Sequence, residues 1–170
     1  MRFRLLQRNL KQDWEKLKHI DVLYTPTGDG SDRSFVLLGS KHISANANGG
    51  WFKTGIMLKQ GQKLNISASG EISFASLSNN KYKPDGKVTG ASTSTTDVDY
   101  GEGDYSYGSG STYPTYGNVV YKIGESGTVM KAGAKFNGNV QSSGMLFLSV
   151  YETVYNASNT GSYSVKVSVK

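Results

Sequence analysis

The sequence predicts an all-β protein, built as an antiparallel β-sandwich with a short N-terminal α-helix. Segments of alternating apolar and polar residues recur from about residue 50 onward, as expected for strands with one buried face. Turn-forming residues separate these segments. The 170 residues include 21 glycines but only 3 prolines, which is typical of many short strands joined by turns. One early segment instead has the periodicity of a helix.

The predicted helix covers residues 2–19. Its apolar residues recur at spacings of three and four and would form one stripe: Phe3, Leu6, Leu10, Trp14 and Leu17. Because an isolated helix of this length is marginal in water, we expect the stripe to pack on another surface. That surface belongs either to the same chain or to another protein subunit. We interpret residues 1–20 as an amphipathic attachment arm.

A linker with one short strand follows the helix. Residues 21–49 are rich in turn formers and contain the short apolar run 34–38. The main domain begins near Ser34 or near Gly50, and we place the sandwich at 50–170.

Three parts of that domain carry the clearest strand patterns. Residues 63–69 alternate, and after an expected turn at Gly70 residues 71–74 alternate again. Residues 145–150 are apolar on both faces, which favours a central strand. Residues 163–169 alternate as a final, half-solvated strand.

Residues 87–117 form a long Tyr-, Gly- and Ser-rich loop. Loops of this length are usually either functional or disordered. The loop contains five tyrosines, which are contact residues typical of binding loops: Tyr100, Tyr105, Tyr107, Tyr113 and Tyr116. They would either stack on sugar rings or pack against the chain's own sheet or a neighbouring subunit. Four carboxylates also lie in the loop, with a spacing that does not match a helix–loop–helix calcium site: Asp97, Asp99, Glu102 and Asp104.

Several motifs of the second half occur in the order found in one known family. They include the turn Lys81-Tyr82-Lys83-Pro84-Asp85-Gly86, the block 120–128 (VYKIGESGT) and the closing segment 160–165 (TGSYSV). In these motifs the chain resembles the PA-IL type of calcium-dependent, galactose-binding bacterial lectins over residues 50–170. The resemblance implies a galactose-binding-like sandwich of the jelly-roll type.

The resemblance also implies where calcium, the one cofactor expected here, would bind. The ion would lie between the main-chain carbonyl of Phe74 and the loop before the last strand, where Thr153, Ser158 and Asn159 occupy the ligand positions and Asn159 keeps the residue of the family. Sugar would be bound by Thr153, Asn156, Ser158 and Asn159, joined by the tyrosines of the long loop.

One departure from the family weakens this expectation. Thr153 stands where the family has an aspartate, and calcium prefers anionic oxygens. The neighbouring Glu152 is expected on the opposite face, because successive side chains of a strand alternate. The alternative is an ordinary hairpin loop in which Asn and Ser cap their own backbone.

Other classes of function find little support. There are no cysteines, which excludes disulfides and thiolate chemistry. No apolar run could cross a membrane, and the basic start lacks the apolar stretch of a signal peptide. The basic residues lack the interleaved aromatics of a nucleic-acid surface. The only histidines, His19 and His42, are expected at the surface without catalytic partners, so we expect no enzyme.

The sequence therefore predicts a carbohydrate-binding module for glycans at a cell surface. It would be made in the cytoplasm and act outside it, or on a virion or injection particle, as an oligomer or part of a larger assembly joined through the helix. The alternative is a structural subunit, for example of a phage tail or contractile injection machine, that keeps the lectin fold without the calcium and sugar site.

Overall fold

A computed structural model describes residues 32–89 and 112–170 of the chain. These residues form ten strands: β1 (Asp32–Leu38), β2 (Phe52–Leu58), β3 (Lys63–Phe74), β4 (Asn80–Tyr82), β5 (Val88–Thr89), β6 (Val119–Ile123), β7 (Met130–Lys131), β8 (Lys135–Asn139), β9 (Gly144–Val150) and β10 (Thr160–Val169). One 3₁₀ turn, Ala75–Leu77, follows β3. None of the helical structure in these two ranges is long and apolar enough to span a membrane.

The strands form two antiparallel sheets. The larger sheet has the order β1-β10-β3-β4-β5, with β8 also paired to β3, and the smaller has the order β2-β9-β6-β7. β3 is long enough to pair with β10 along one edge and with both β8 and β4 along the other. The all-β class and the antiparallel sheets are thus confirmed. The predicted helix over residues 2–19 lies outside the described residues, as do residues 90–111 of the long loop.

The core lies between the sheets and follows the predicted alternation. The larger sheet contributes Leu64, Ile66, Ile72 and Phe74 from β3, together with alternate residues of β10. β9 lies between β2 and β6, and its residues from Leu146 to Val150 are all buried, which confirms the prediction of a central strand. Burial of such side chains is the main stabilising contribution to a sandwich.

The expected turn at Gly70 is wrong. β3 passes through Gly70 without a break, and Ser69, Gly70 and Glu71 pair in register with β10. Gly70 has a φ of +112°, and a Cβ there would lie 2.4 Å from the carbonyl oxygen of Ser162. The glycine therefore permits close approach of two strands rather than a reversal of the chain.

The sheet includes residues that precede position 50. β1 pairs with β10 along its whole length, and Leu37 and Ile43 are fully buried. β1 is thus an edge strand of the larger sheet, although it precedes residue 50. Residues 42–44 also run beside the end of β9, since the Val150 N–H donates to the His42 carbonyl (2.9 Å) and Ser44 N–H donates to that of Val150 (2.9 Å).

His42 is buried, so its expected surface position is wrong. Its Nδ1 accepts a hydrogen bond from the Leu38 N–H at 2.9 Å, and its ring meets that of Phe52 edge-on. Burial lowers the pKa of the imidazole, and the charge of Lys41 adds to this. His42 therefore serves to hold the chain after β1 in place.

Candidate functional site

The candidate site lies where the loop 151–159 meets the turn that follows β3. Asn159, at the end of this loop, is 2% exposed and bonds to both sides of the junction. Its side-chain oxygen accepts a hydrogen bond from the Ala75 N–H at 2.9 Å. Its amide nitrogen donates to Glu152 Oε2 at 3.3 Å. Asn159 therefore connects the turn after β3 to the start of the loop.

Glu152 is the central residue of this junction. It is 2% exposed, and its second carboxylate oxygen accepts a hydrogen bond from the Ser76 hydroxyl. Ser44 holds its backbone, because the Ser44 hydroxyl donates to the Glu152 carbonyl at 2.9 Å and accepts from the Glu152 N–H at 3.2 Å. Burial raises the pKa of the Glu152 carboxyl, while the hydrogen bonds from Ser76 and Asn159 act in the opposite direction.

Glu152 is buried and Thr153 is exposed, as expected for neighbouring residues whose side chains alternate in direction. Leu146, Leu148 and Val150 form the inward series of β9, and Glu152 continues that series beyond the strand end. Its carboxylate thus reaches Ser76 and Asn159, whereas the side chain of Thr153 is exposed. The alternation of side chains along β9 was the signal in the sequence that could have placed Glu152 on the inward side, at this junction.

Thr153 lies against the end of the Tyr-rich loop. Its hydroxyl is 3.0 Å from the Tyr116 hydroxyl, and the Tyr116 ring stacks on that of Tyr151 with centroids 6.1 Å apart. The predicted set of Thr153, Ser158 and Asn159 is therefore divided between two positions. Tyr100, Tyr105 and Tyr107, which were also predicted to bind sugar, lie outside the described residues.

The middle of the loop is held by its own backbone. The Asn156 side-chain oxygen accepts from the Ser158 N–H at 2.9 Å, and the Asn156 carbonyl accepts from the Asn159 N–H at 3.1 Å. This is the local capping expected of Asn in an ordinary hairpin loop. Ser158 itself is exposed.

Several oxygen atoms at the junction where the resemblance implies calcium already accept hydrogen bonds. The Phe74 carbonyl accepts from the Asn79 N–H at 3.0 Å, and both oxygens of Glu152 accept from neutral side chains. Within residues 32–89 and 112–170, no three His, Asp or Glu side chains group closely enough to hold a metal ion. Calcium takes six to eight oxygen ligands, so these residues fit a hydrogen-bonded carboxylate better than they fit the ion.

An exposed aromatic surface lies beside this junction, and we call it the tyrosine edge. It consists of the contacting residues Tyr116, Tyr151 and Thr153 and of the exposed residues that follow them in the loop, Val154 and Tyr155. Val154 is 57% exposed and Tyr116 is 39% exposed, while the Tyr155 hydroxyl donates to the Ser40 carbonyl at 2.8 Å. Tyr116 is among the contact tyrosines predicted from the sequence of the long loop, but Val154 and Tyr155 were missed, and nothing in the spacing brings residues 116 and 153 together.

A buried asparagine anchors Tyr116 next to the loop. Asn118 is fully buried; its oxygen accepts from the Thr115 N–H at 2.8 Å and its nitrogen donates to the Pro84 carbonyl at 3.3 Å. Gly117 lies between Tyr116 and Asn118 in the sequence. Its φ is +82°, and a Cβ there would lie 2.6 Å from the side chain of Tyr82. The position of the tyrosine edge therefore depends on residues with no side-chain exposure.

A concave region lies elsewhere, on the outer face of the larger sheet. It has a volume of about 520 Å³, and both polar residues, among them Asn65, Asn137 and Lys135, and the apolar residues Ile66 and Phe136 line it. Asp32 and Lys166 form an exposed ion pair across it at 2.9 Å. The hydrogen bond from Lys166, followed by that from Ser168, lowers the pKa of Asp32. We call this region the sheet groove.

Comparison with solved structures finds a lectin fold. The chain is similar to a structure described as the EclA N-terminal domain, a PllA-like lectin, with a TM-score of 0.54 and 20% sequence identity. The match covers 81% of this chain and 95% of that one. No protein-family model matches the sequence, and no curated protein is significantly similar to it. At this identity the likeness shows a lectin-like β-sandwich fold.

Proposed function

We propose that this protein is a carbohydrate-binding module that recognises cell-surface glycans through its tyrosine edge. The observation that carries the proposal is the set of exposed aromatic side chains at one junction of a lectin-like sandwich. The neighbour of similar fold is itself described as a lectin. The resemblance to the PA-IL lectins implies a sugar site at the same loop, which agrees with the proposal.

The chemistry of the tyrosine edge suits a sugar. The faces of pyranose rings present C–H groups, and aromatic rings such as those of Tyr116 and Tyr155 provide flat apolar surfaces for them. Tyrosine also gives a large contact area at a low cost in side-chain entropy. The hydroxyl groups of Thr153 and Tyr116 are exposed and can exchange their mutual hydrogen bond for one to a sugar hydroxyl.

Binding at this edge would not require calcium, because aromatic rings and hydroxyl groups would make the contacts, and the buried oxygens of Glu152 and Asn159 already accept hydrogen bonds within the protein. The setting that we propose remains extracellular, or on a virion or injection particle. Residues 1–20 would attach the module to other subunits.

A glycan array followed by titration with galactose tests this function. We expect binding that EDTA does not remove. Tyr116→Ala and Tyr155→Ala should each weaken the best ligand by at least about tenfold, as expected for the loss of a stacking aromatic residue. Met130→Ala is the matched control, since Met130 is 42% exposed on β7, outside the tyrosine edge. The absence of binding to every glycan, with and without added calcium, would contradict the proposal.

The second candidate function is a structural subunit that keeps the lectin fold without a sugar site. The internal hydrogen bonds of Glu152 and Asn159 favour it, because they use groups that would otherwise face a ligand. This candidate predicts a defined oligomer or complex, measured by light scattering, that is lost when residues 1–24 are deleted. An unchanged assembly after that deletion would count against it.

A further inference from the structure

The same junction supports an inference that does not depend on sugar binding. In the resembling lectins, calcium connects the segment after an early strand to the loop before the last strand. Here the same two segments are connected by side chains alone. Ser76 and Ala75 belong to the first segment, and Glu152 and Asn159 belong to the second.

We propose that the Glu152 carboxylate is an internal replacement for the calcium ion. Together with Ser76 and Asn159 it forms a hydrogen-bonded bridge, which we call the Glu152 bridge, that fixes the loop 151–159 against the turn after β3. The junction is thus assembled by the chain itself and responds neither to added calcium nor to its removal.

The buried polar atoms of the Glu152 bridge all have hydrogen-bond partners, which supports this assignment. Both oxygens of Glu152 accept hydrogen bonds, and so does the side-chain oxygen of Asn159. Among the described residues, no buried side-chain nitrogen or oxygen lacks a partner. A cation placed between these groups would have to turn the amide nitrogen of Asn159 away from Glu152, because only the amide oxygen can be a ligand.

The charge of the surroundings also agrees with a bridge that is complete without an ion. None of the ion pairs within the described ranges involves Glu152. The titratable group that faces it is Tyr82, whose pKa is raised by burial first and by the charge of Glu152 second. The hydroxyl of Ser76 and the amide of Asn159 are neutral donors that stabilise the carboxylate. If the Ser76 hydroxyl rotates to accept a hydrogen bond, the same groups also stabilise the protonated form.

A set of variants without added sugar tests the bridge. Glu152→Ala removes the acceptor, and we expect the melting temperature to fall by at least about 3 °C. Glu152→Gln is the matched control, because its oxygen can accept from Asn159 and its nitrogen can donate to Ser76. Most of the decrease in melting temperature expected for Glu152→Ala should therefore be absent in Glu152→Gln. The melting temperature of the double variant Glu152→Ala/Asn159→Ala should fall by clearly less than the sum of the decreases in the two single variants, since both residues belong to one network.

Local exchange and calcium titration complete the test. Amide hydrogen exchange at Ala75, whose N–H donates to Asn159, should be about tenfold faster in Glu152→Ala and unchanged in Glu152→Gln. Calorimetric titration of the wild-type protein with CaCl₂ should give no binding, and EDTA should leave the melting temperature unchanged. Either of two results would overturn the proposal: calcium binding that Glu152→Gln abolishes, or unchanged exchange of Ala75 in Glu152→Ala.

Discussion

Two carboxylates in this molecule are stabilised in opposite ways. Glu152 is buried at the junction beside the tyrosine edge, where its partners are neutral hydrogen-bond donors, and its pKa is raised. Asp32 is exposed at the sheet groove, where it pairs with Lys166, and its pKa is lowered. The first arrangement orders two segments of backbone, whereas the second adds a charge pair to a strand that is already ordered. The ion pair of Asp32 and Lys166 should therefore contribute less to the stability of the fold than the hydrogen bonds of Glu152.

A matched pair of asparagines gives the largest expected effect. Asn159→Ala should lower the free energy of unfolding by about 1–3 kcal/mol, because it leaves the buried Glu152 oxygen and the Ala75 N–H without their partners. Asn137→Ala, at the exposed sheet groove, should change it by no more than about 0.5 kcal/mol. Urea denaturation of both variants measures the difference. Equal losses would mean that burial does not separate the two regions.

The two regions also differ in how far the sequence could predict them. Alternation along β3 and β10 predicts their buried faces, and the doubly apolar run 145–150 predicts a central strand, because these patterns are local. The passage of β3 through Gly70 was missed, since a glycine with positive φ serves a turn and a close strand contact equally well. A polar row at the sheet groove follows from the same alternation.

The candidate site depends on contacts between distant parts of the chain. Glu152 meets Ser76 and Ser44, which lie 76 and 108 residues away in sequence, and no spacing rule brings them together. The strand period alone could place Glu152 on the inward side of β9, yet it could not reveal which loop would face it. His42 was missed for the same reason, because its burial depends on Phe52 and on the turn after β1.

The pH dependence of stability gives a second, intermediate effect. Because burial raises the pKa of Glu152 in the folded state, the unfolded chain releases this proton first as the pH rises. The contribution of Glu152 to stability should therefore be complete below about pH 4.5 and decline as the pH rises towards the folded-state pKa. Glu152→Gln cannot titrate. Its stability relative to the wild-type protein should increase over this range.

Thermal melts of the wild-type protein and of Glu152→Gln between about pH 4 and pH 7 measure this difference, because carboxyl groups titrate in or near this range. A constant offset between the two curves would show that the carboxyl group has the same pKa in the folded and unfolded states. The hydrogen bonds from Ser76 and Asn159 would then balance the effect of burial on this pKa.

The ion pair of the sheet groove gives the smallest effect, and the opposite sign. The pKa of Asp32 is lowered by Lys166 in the folded state, so its contribution is present at neutral pH and is lost as the pH falls through the folded-state pKa. Asp32→Asn should lower the melting temperature slightly at neutral pH and low salt, with no change in high salt, because salt screens exposed charges. Melts at two ionic strengths measure it. A loss as large as that of Asn159→Ala, or one that persists in high salt, would show that the exposed pair orders the edge strand β1 as firmly as the buried carboxylate orders its loop.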